Sequence, residues 1–378
     1  MPKSRSVANT GSCGVAAGAP ETLPAIKMAA LTIDGRQVEA PVGSTVLEAA
    51  ELAGIRIPTL CYHPDLSVHA SCRICVVEVE KMPGLQTACS LQVAENMVVH
   101  SDTPAVRAER RTILELILSN HPNDCMKCEV TGDCELQDLV YEYQVEWPEY
   151  GGQRHRYAVD SDPNPFVFVD MNKCILCTRC VRACAEVQCR DVWAVAGRGC
   201  DTRIVAGAET TMLEARCESC GQCVAYCPVG ALHDKMSLVR GRPYQVEKVT
   251  TTCVYCGVGC QFDLNVYDGR VMRVTSNPDA PVNGMALCVK GRYGYDFIHH
   301  PDRLTTPLVK RDGEFVAASW DEALDLVATK LAAIREEHGP DALAFLCSAK
   351  CTNEENYLLQ KFARAVLGTN NVDHCARL

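Results

Sequence analysis

From residue 29 onward, apolar positions recur first with the two-residue period of strands and then with the longer period of helices. Leu31-Thr32-Ile33 and Val38-Glu39-Ala40 flank Asp34-Gly35, which predicts a hairpin because glycine tolerates the positive φ of a type I′ turn. Thr45 and Glu48 read as a capping box for a short helix holding Val46, Leu47, Ala49, Ala50 and Leu52 and closed by Gly54. Residues 76–79 (VVEV) predict a further strand. A second helix is expected from Pro104 to Leu118, apolar at Ile113, Leu114, Leu116, Ile117 and Leu118. The stretch 148–165 is rich in Pro, Gly and Asp and reads as a linker. Past a cysteine-dense segment at 166–237, a second hairpin within 262–274 turns on Asp268-Gly269. Beyond 303 the texture becomes ordinary α/β. Ser319 and Glu322 make a capping box for a helix ending at Gly339, 343–347 reads as a buried strand, and a helix from Glu354 to Leu367 stops at Gly368. That is the beginning of an α/β layer.

Composition sharpens this picture. The chain has 378 residues and is 47% hydrophobic, which excludes a disordered tail, while an aromatic share of 6% suggests several small modules. A formal net charge of −10 disfavours nucleic-acid binding, since no basic stripe can neutralise phosphates. No run of about 18 apolar residues exists, so no membrane span is expected. The Gly/Ala/Ser-rich lead at 1–28 lacks an apolar export core and a twin-arginine pair. A flexible extension and a cytoplasmic location are therefore expected, with Met28 as an alternative start.

Cysteine is the outlier, at 25 residues, and it is grouped as C-x-x-C-x-x-C. Disulfide scaffolds do not space their cysteines this way; metal sites in a reducing compartment do. Cys61, Cys72, Cys75 and Cys89 follow C-x10-C-x2-C-x13-C. Four thiolates so placed can converge on a [2Fe–2S] cluster, with a zinc site or free core cysteines as the alternatives. His121, Cys125, Cys128 and Cys134 read on spacing alone equally as structural zinc or as a cluster, and His121 also suits a helix-terminal residue after Leu118. Cys174, Cys177, Cys180 and Cys184 make C-x2-C-x2-C-x3-C, repeated by Cys217, Cys220, Cys223 and Cys227-Pro228. This is the bacterial two-[4Fe–4S] ferredoxin signature, in which the fourth cysteine of each run serves the other cluster. One cluster is thus expected on Cys174, Cys177, Cys180 and Cys227, and the other on Cys217, Cys220, Cys223 and Cys184. Cys253, Cys256, Cys260 and Cys288 follow C-x2-C-x3-C-x27-C, with Gly257 and Gly259 letting the backbone wrap closely. Cys13, Cys189, Cys200, Cys347, Cys351 and Cys375 lack ligand spacing and are read as structural, Cys347 as a small hydrophobe in a buried strand.

Several of these runs carry a resemblance. "SCRICVVEVE" at 71–80 and its cysteine spacing resemble the N-terminal ferredoxin-like domain of the large NADH-dehydrogenase subunit of respiratory complex I and its relatives. "HPNDCMKCEVTGDCELQ" looks like their [4Fe–4S] motif with one histidine and three cysteine ligands. "CVYCGVGC" and "CVKGR" resemble the N-terminal [4Fe–4S] module of molybdopterin oxidoreductases, in which the lysine matching Lys290 lies between cluster and pterin and aids electron passage. The bland reading of Lys290 is a solvated surface cation.

The whole order, over 29–302, resembles the catalytic subunit of soluble NAD(P)-dependent formate dehydrogenases. The resemblance implies a modular α+β protein. A flexible extension (1–28) precedes a β-grasp [2Fe–2S] domain (29–107), a helical histidine-ligated [4Fe–4S] domain (108–150) and a two-[4Fe–4S] ferredoxin-type domain (166–240). A molybdopterin-oxidoreductase [4Fe–4S] domain (247–302) and the start of a molybdopterin-binding α/β domain (303–378) follow. One [2Fe–2S] and four [4Fe–4S] clusters are implied, with a molybdenum or tungsten bis(pterin guanine dinucleotide) in the complete enzyme. Electrons from formate would run from the Cys253 cluster past the twin clusters to the His121 cluster and on to a flavin- and NAD(P)-binding iron–sulfur subunit, with a small thioredoxin-like [2Fe–2S] subunit as a further partner. "NNVDHCARL" ends the chain where such enzymes place their selenocysteine or cysteine metal ligand, so that ligand is expected just after Leu378, at a UGA codon, and this chain alone is expected not to oxidise formate. The alternative is a stand-alone electron-transfer subunit of a complex I-like or hydrogenase-type NADH-linked complex.

Overall fold

The structure is a computed structural model that describes residues 27–146, 156–349 and 351–375. It divides into two units. Of the described residues, the first takes those up to 217 together with 226–233 and 242–244, and the second takes 218–225, 234–241 and those from 245 onward.

The first unit opens on the predicted hairpin, β1 (Met28–Ile33) against β2 (Arg36–Pro41), with Ile33 opposite Arg36. Asp34 and Gly35 take φ of 49° and 77°, the two left-handed residues that a type I′ turn requires. α1 (Val46–Leu52) starts on the expected capping box: Thr45 Oγ1 accepts the Glu48 N–H, and the Glu48 carboxylate accepts the Thr45 N–H. β3 (Val76–Val79), β4 (Gln86–Thr87) and β5 (Val98–His100) complete a five-stranded sheet of order β2-β1-β5-β3-β4. β1 and β5 run parallel and the other pairs antiparallel, as in a β-grasp. Alternate positions Leu31, Ile33, Val38, Val77 and Val99 point into one core with Val46, Leu47 and Ala50 of α1. Cys75 and Cys89 are buried in the same cluster.

α2 (Pro104–Asn120) runs two residues past the predicted end, capped by Thr103 with Pro104 in its first turn. It packs with α3 (Glu135–Glu142) on a second core containing Leu60, Ile74, Ile113, Leu114, Leu136 and Leu139. Arg110 is buried between them because its guanidinium donates to the carbonyls of Ile74 and Val76 and to the Tyr143 hydroxyl, at 2.8–3.1 Å. The expected linker lies partly outside the described residues, and 156–165 forms no helix or strand. Beyond it, Val167–Val169 pairs with Leu232–Asp234 and Trp193–Ala196 with Arg203–Ala206. The helix Arg179–Arg182 continues as a wider π turn over Ala183–Val187.

The second unit holds a three-stranded antiparallel sheet of Glu247–Thr252, Gln261–Tyr267 and Arg270–Ser276, whose expected hairpin turns on Asp268 and Gly269. A short helix Val289–Tyr293 follows, then the hairpin Leu308–Arg311 with Glu314–Ala317, and the helix Trp320–His338 ending at Gly339. Phe345–Cys347 pairs parallel with Val372–His374, and the helix Asn353–Lys361 extends as a π turn to Leu367 before Gly368, at φ 85°. Among the described residues no helix is long and apolar enough to cross a membrane.

Three local expectations are corrected. The Ser319 cap is only half of a box, because the Glu322 carboxylate pairs with Arg311 instead of turning back. The 345–347 strand is not buried: Leu346 is 82% exposed and Cys347 is partly exposed. Parallel strands are buried only when both faces are covered, and the described residues here form a two-stranded sheet. Only Gly259 of the Gly257/Gly259 pair uses the left-handed region, at φ 75°, while a β-carbon at Gly257 would meet open space.

Candidate metal centres

The described cysteines are all free thiols, the state in which they can bind iron. Cys61, Cys72, Cys75 and Cys89 lie within electrostatic reach of one another, Cys75 just before β3 and Cys89 just after β4, both in the β-grasp core. They form two hydrogen-bonded thiol pairs, Cys61 with Cys72 and Cys75 with Cys89. In each pair one thiol donates to its neighbour, so the first proton leaves easily and the second with difficulty: Cys61 falls to about 5 and Cys75 is lowered, while Cys72 and Cys89 are raised. Such pairs in mutual electrostatic reach fit a centre that binds thiolates two to an iron.

His121 ends α2, where its backbone N–H caps the Ile117 and Leu118 carbonyls. The imidazole is not used in that cap. Its Nδ1 is buried without a hydrogen-bond partner, and burial lowers the ring's affinity for a proton. A neutral ring with an unpartnered buried nitrogen suits a metal ligand. Cys125 lies on a single 3₁₀ turn, Cys128 follows it, and Cys134 opens α3, its thiol pushed up to about 11 by burial. Arg242 holds this loop by donating to the carbonyls of Cys128 (2.5 Å) and Met126 (2.8 Å).

Cys174, Cys177, Cys180 and Cys227 line one apolar pocket with Ile175, Ile204, Val229 and Leu232. This is the exchanged set, with the fourth cysteine of the second run joined to the first three of the first. Burial raises Cys174 to about 11, Cys177 to about 12 and Cys227 to about 11. The other exchanged set is divided by the boundary: Cys184 and Cys217 belong to the first unit, Cys220 and Cys223 to the second. Cys184 Sγ accepts the Val192 N–H at 3.3 Å, and Asn164 donates to Cys217 Sγ at 3.9 Å.

In the second unit Cys253 and Cys260 are tied by a backbone hydrogen bond of 2.8 Å, and Cys256 and Cys288 lie within electrostatic reach of both. Cys288 opens the short helix that carries Lys290, whose side chain is exposed. Arg292, one turn on, is buried and donates to the Cys220 carbonyl (3.0 Å) and to Ser276 Oγ (2.9 Å). Of the six unassigned cysteines, Cys13 lies outside the described residues and Cys189, Cys200, Cys351 and Cys375 are exposed.

Among the described residues no three Cys, His, Asp or Glu side chains enclose a single metal ion. Buried cations are the feature that spacing did not reveal. Lys173, Arg179, Arg182 and Arg292 are all buried beside candidate ligands, in a chain whose net charge is −10. Lys173 Nζ reaches Asp170 (3.3 Å) and Asp124 (3.6 Å) next to the His121 set. For Lys173, Arg179 and Arg182 the signal in sequence is the run of charges interleaved with cysteines in "NKCILCTRCVRAC".

Comparison with known proteins agrees with this order of sites. Residues 27–104 match the 2Fe-2S iron-sulfur cluster binding domain and 110–148 the NADH-ubiquinone oxidoreductase-G iron-sulfur binding region. Residues 164–233 match the ferredoxin-like domain of NADH-quinone oxidoreductase subunit 3, 246–300 the molybdopterin oxidoreductase Fe4S4 domain, and 303–378 molybdopterin oxidoreductase. Residues 246–300 and 303–378 thus match molybdopterin oxidoreductase models, and the homologues of the chain include G-type NADH-quinone oxidoreductase subunits. The second G-type NADH-quinone oxidoreductase subunit of Rhizobium meliloti is 40% identical over 93% of this chain and 40% of its own length. The NADPH-Fe(3+) oxidoreductase subunit alpha of Geobacter sulfurreducens is 39% identical over the same shares. A Staphylococcus aureus protein provisionally named formate dehydrogenase is 32% identical over 92% of this chain and 39% of its own. The chain thus spans about 40% of the length of these relatives. A chain in the crystal structure of an NAD+-reducing [NiFe]-hydrogenase in the H2-reduced state is similar at 32% identity and TM-score 0.50, over 56% of this chain and 90% of that one.

Proposed function

We propose that the chain is the iron–sulfur electron-transfer part of an NAD(P)-dependent formate dehydrogenase. In this reading formate is oxidised at a molybdenum or tungsten bis-pterin centre, and electrons leave to a flavin- and NAD(P)-binding subunit. No catalytic residue of formate oxidation is assigned within this chain. Iron–sulfur clusters, when bound, supply one-electron redox chemistry. The chain's part is to hold them: Cys61, Cys72, Cys75 and Cys89 for a [2Fe–2S] cluster, and His121, Cys125, Cys128 and Cys134 for a [4Fe–4S] cluster. The twin sets Cys174, Cys177, Cys180, Cys227 and Cys217, Cys220, Cys223, Cys184 are assigned two more, and Cys253, Cys256, Cys260 and Cys288 the fifth. Lys290 is assigned the relay position beside the last of these.

The observation that supports the reading is the order of family matches, in which 2Fe-2S and NADH-quinone-oxidoreductase-type iron–sulfur regions are followed by the molybdopterin oxidoreductase Fe4S4 domain and molybdopterin oxidoreductase matches. The test is anaerobic purification of the complete protein with its partners. Formate should bleach the cluster absorbance and yield NAD(P)H, and the preparation should contain molybdenum or tungsten.

A second reading is an electron-transfer subunit of a complex I-like or hydrogenase-type NADH-linked complex. Its support is the similarity to the Rhizobium meliloti protein and to the hydrogenase chain. It predicts reduction of the clusters by NADH, none by formate, and neither molybdenum nor tungsten.

A further inference from the structure

The loop that carries Cys61 forms neither helix nor strand over 61–67. Within 61–67 the Leu66 N–H donates to the His63 carbonyl and the Asp65 N–H to His63 Nδ1. It is held instead by side chains that flank the cysteines of the first ferredoxin run, all within the first unit. Arg179 donates to the Tyr62 carbonyl at 2.8 Å and is steadied by a two-pronged pair with Glu135, at 2.6 and 2.8 Å. Arg182 donates through one nitrogen to the Ser67 carbonyl at 2.5 Å. Its other terminal nitrogen donates both to the Cys61 carbonyl at 2.6 Å and to the Cys177 carbonyl at 3.1 Å. The Glu186 carboxylate accepts the Ser67 N–H (2.7 Å) and O–H (2.5 Å). The Tyr226 hydroxyl also donates to Asp65 at 3.1 Å, and its ring stands edge-on to His63, centroids 4.6 Å apart.

Arg179, Arg182 and Glu186 are spaced i, i+3, i+7 along one helical stretch and so share a face. That face grips the Cys61 loop, while Cys180 and Cys184 are borne by the same nine residues. A guanidinium costs much to bury, and burial is tolerated when its donors are satisfied and negative charge lies nearby. Arg182 is 7% exposed, and its partners are carbonyls and the Thr178 hydroxyl (3.3 Å), which bring no charge to offset its own. Neighbours that can supply that charge include the Cys177 thiolate, which lies within electrostatic reach of Arg182, and the Glu186 carboxylate on the shared Ser67, while Cys61 is tied to Arg182 through its carbonyl.

We propose that Arg182 is a positioning residue shared by two redox sites: it fixes the Cys61 loop to the Cys177 loop, and its charge favours the reduced state of both. This rests on the reading that both cysteine sets hold clusters. A buried cation stabilises an added electron nearby, so removing it should lower both potentials in the same direction.

The experiment uses the full chain, purified anaerobically, with the midpoint potentials of its [2Fe–2S] and [4Fe–4S] signals measured by redox titration followed by electron paramagnetic resonance. Arg182→Gln should lower the [2Fe–2S] potential and one [4Fe–4S] potential together. Arg182→Lys, which keeps the charge, should leave both near wild type. Arg56→Gln, which removes an exposed cation paired with Glu142, should move neither. A shift in only one signal, in neither, or an equal shift with lysine overturns the proposal. Should Arg182→Gln fail to hold its clusters, Arg182→Lys decides: wild-type potentials support the charge, and lowered ones refute it. Wild-type chain that binds zinc in place of iron would instead defeat the cluster reading itself.

Discussion

Gly230 lies against Cys128: a β-carbon built at position 230 would come within 2.7 Å of the Cys128 sulfur. The same β-carbon would meet Val130 at 3.2 Å and the Lys173 stem at 3.6 Å. A residue just after the second ferredoxin run therefore shapes the space for a thiol of the His121 set. Gly230→Ala should displace Cys128, at a cost of roughly 1–3 kcal/mol for an overpacked site. Iron and sulfide analysis should show a deficit of one [4Fe–4S] cluster, with the [2Fe–2S] resonance retained.

His121→Cys replaces a neutral ligand by an anionic one. The orphaned Nδ1 marks where a donor is wanted, so the cluster should still assemble. Its potential should fall because the extra negative charge disfavours the reduced state. Redox titration of the substituted chain checks the direction, and a raised potential would contradict the ligand assignment.

Arg110→Met should destabilise the first unit without touching a candidate ligand. The change leaves the Ile74 and Val76 carbonyls and the Tyr143 hydroxyl without their buried donor. Each such loss costs about 1–3 kcal/mol, so a drop of several degrees in unfolding temperature is expected. The [2Fe–2S] spectrum at low temperature should be unchanged.

Asp234 gives the second unit a pH-dependent weakness. Burial pushes its carboxyl up to about 6, although the Met236 N–H and Arg273, Arg292 and Arg240 pull the other way. Its Oδ2 is buried without a hydrogen-bond partner. A carboxyl whose folded pKa exceeds its unfolded value binds a proton more tightly when folded. Stability from this group is present below the unfolded value of 3.8 and is lost as pH rises to about 6. Asp234→Asn, which keeps a side-chain oxygen for Met236, should unfold at a higher temperature than wild type above pH 6 and lose that advantage near pH 4.

Much of this was legible in the chain itself, and for local reasons. The Asp34-Gly35 and Asp268-Gly269 turns and the Thr45 box depend on residues within a few positions of each other, so pattern reveals them. The grouping of Cys227 with Cys174, Cys177 and Cys180 around one pocket is the one the repeat spacing suggests, because a repeat of that kind carries its own topology. What stayed hidden depends on distant pairing. Nothing in a linear reading joins Arg182 to Cys61, or Gly230 to Cys128, more than 100 residues apart in each case. The 343–347 segment failed differently, since an apolar run signals a strand but not whether both faces are covered. Ser319 and Glu322 had the spacing of a full box, yet Arg311 competes for the carboxylate.

The central claim is that these thiols and His121 hold bridged iron and sulfide. Quantifying iron, labile sulfide and zinc in chain purified without oxygen tests it most directly. One [2Fe–2S] and four [4Fe–4S] clusters predict about 18 iron and about 18 sulfide per chain. Stoichiometric zinc with no labile sulfide would contradict the account.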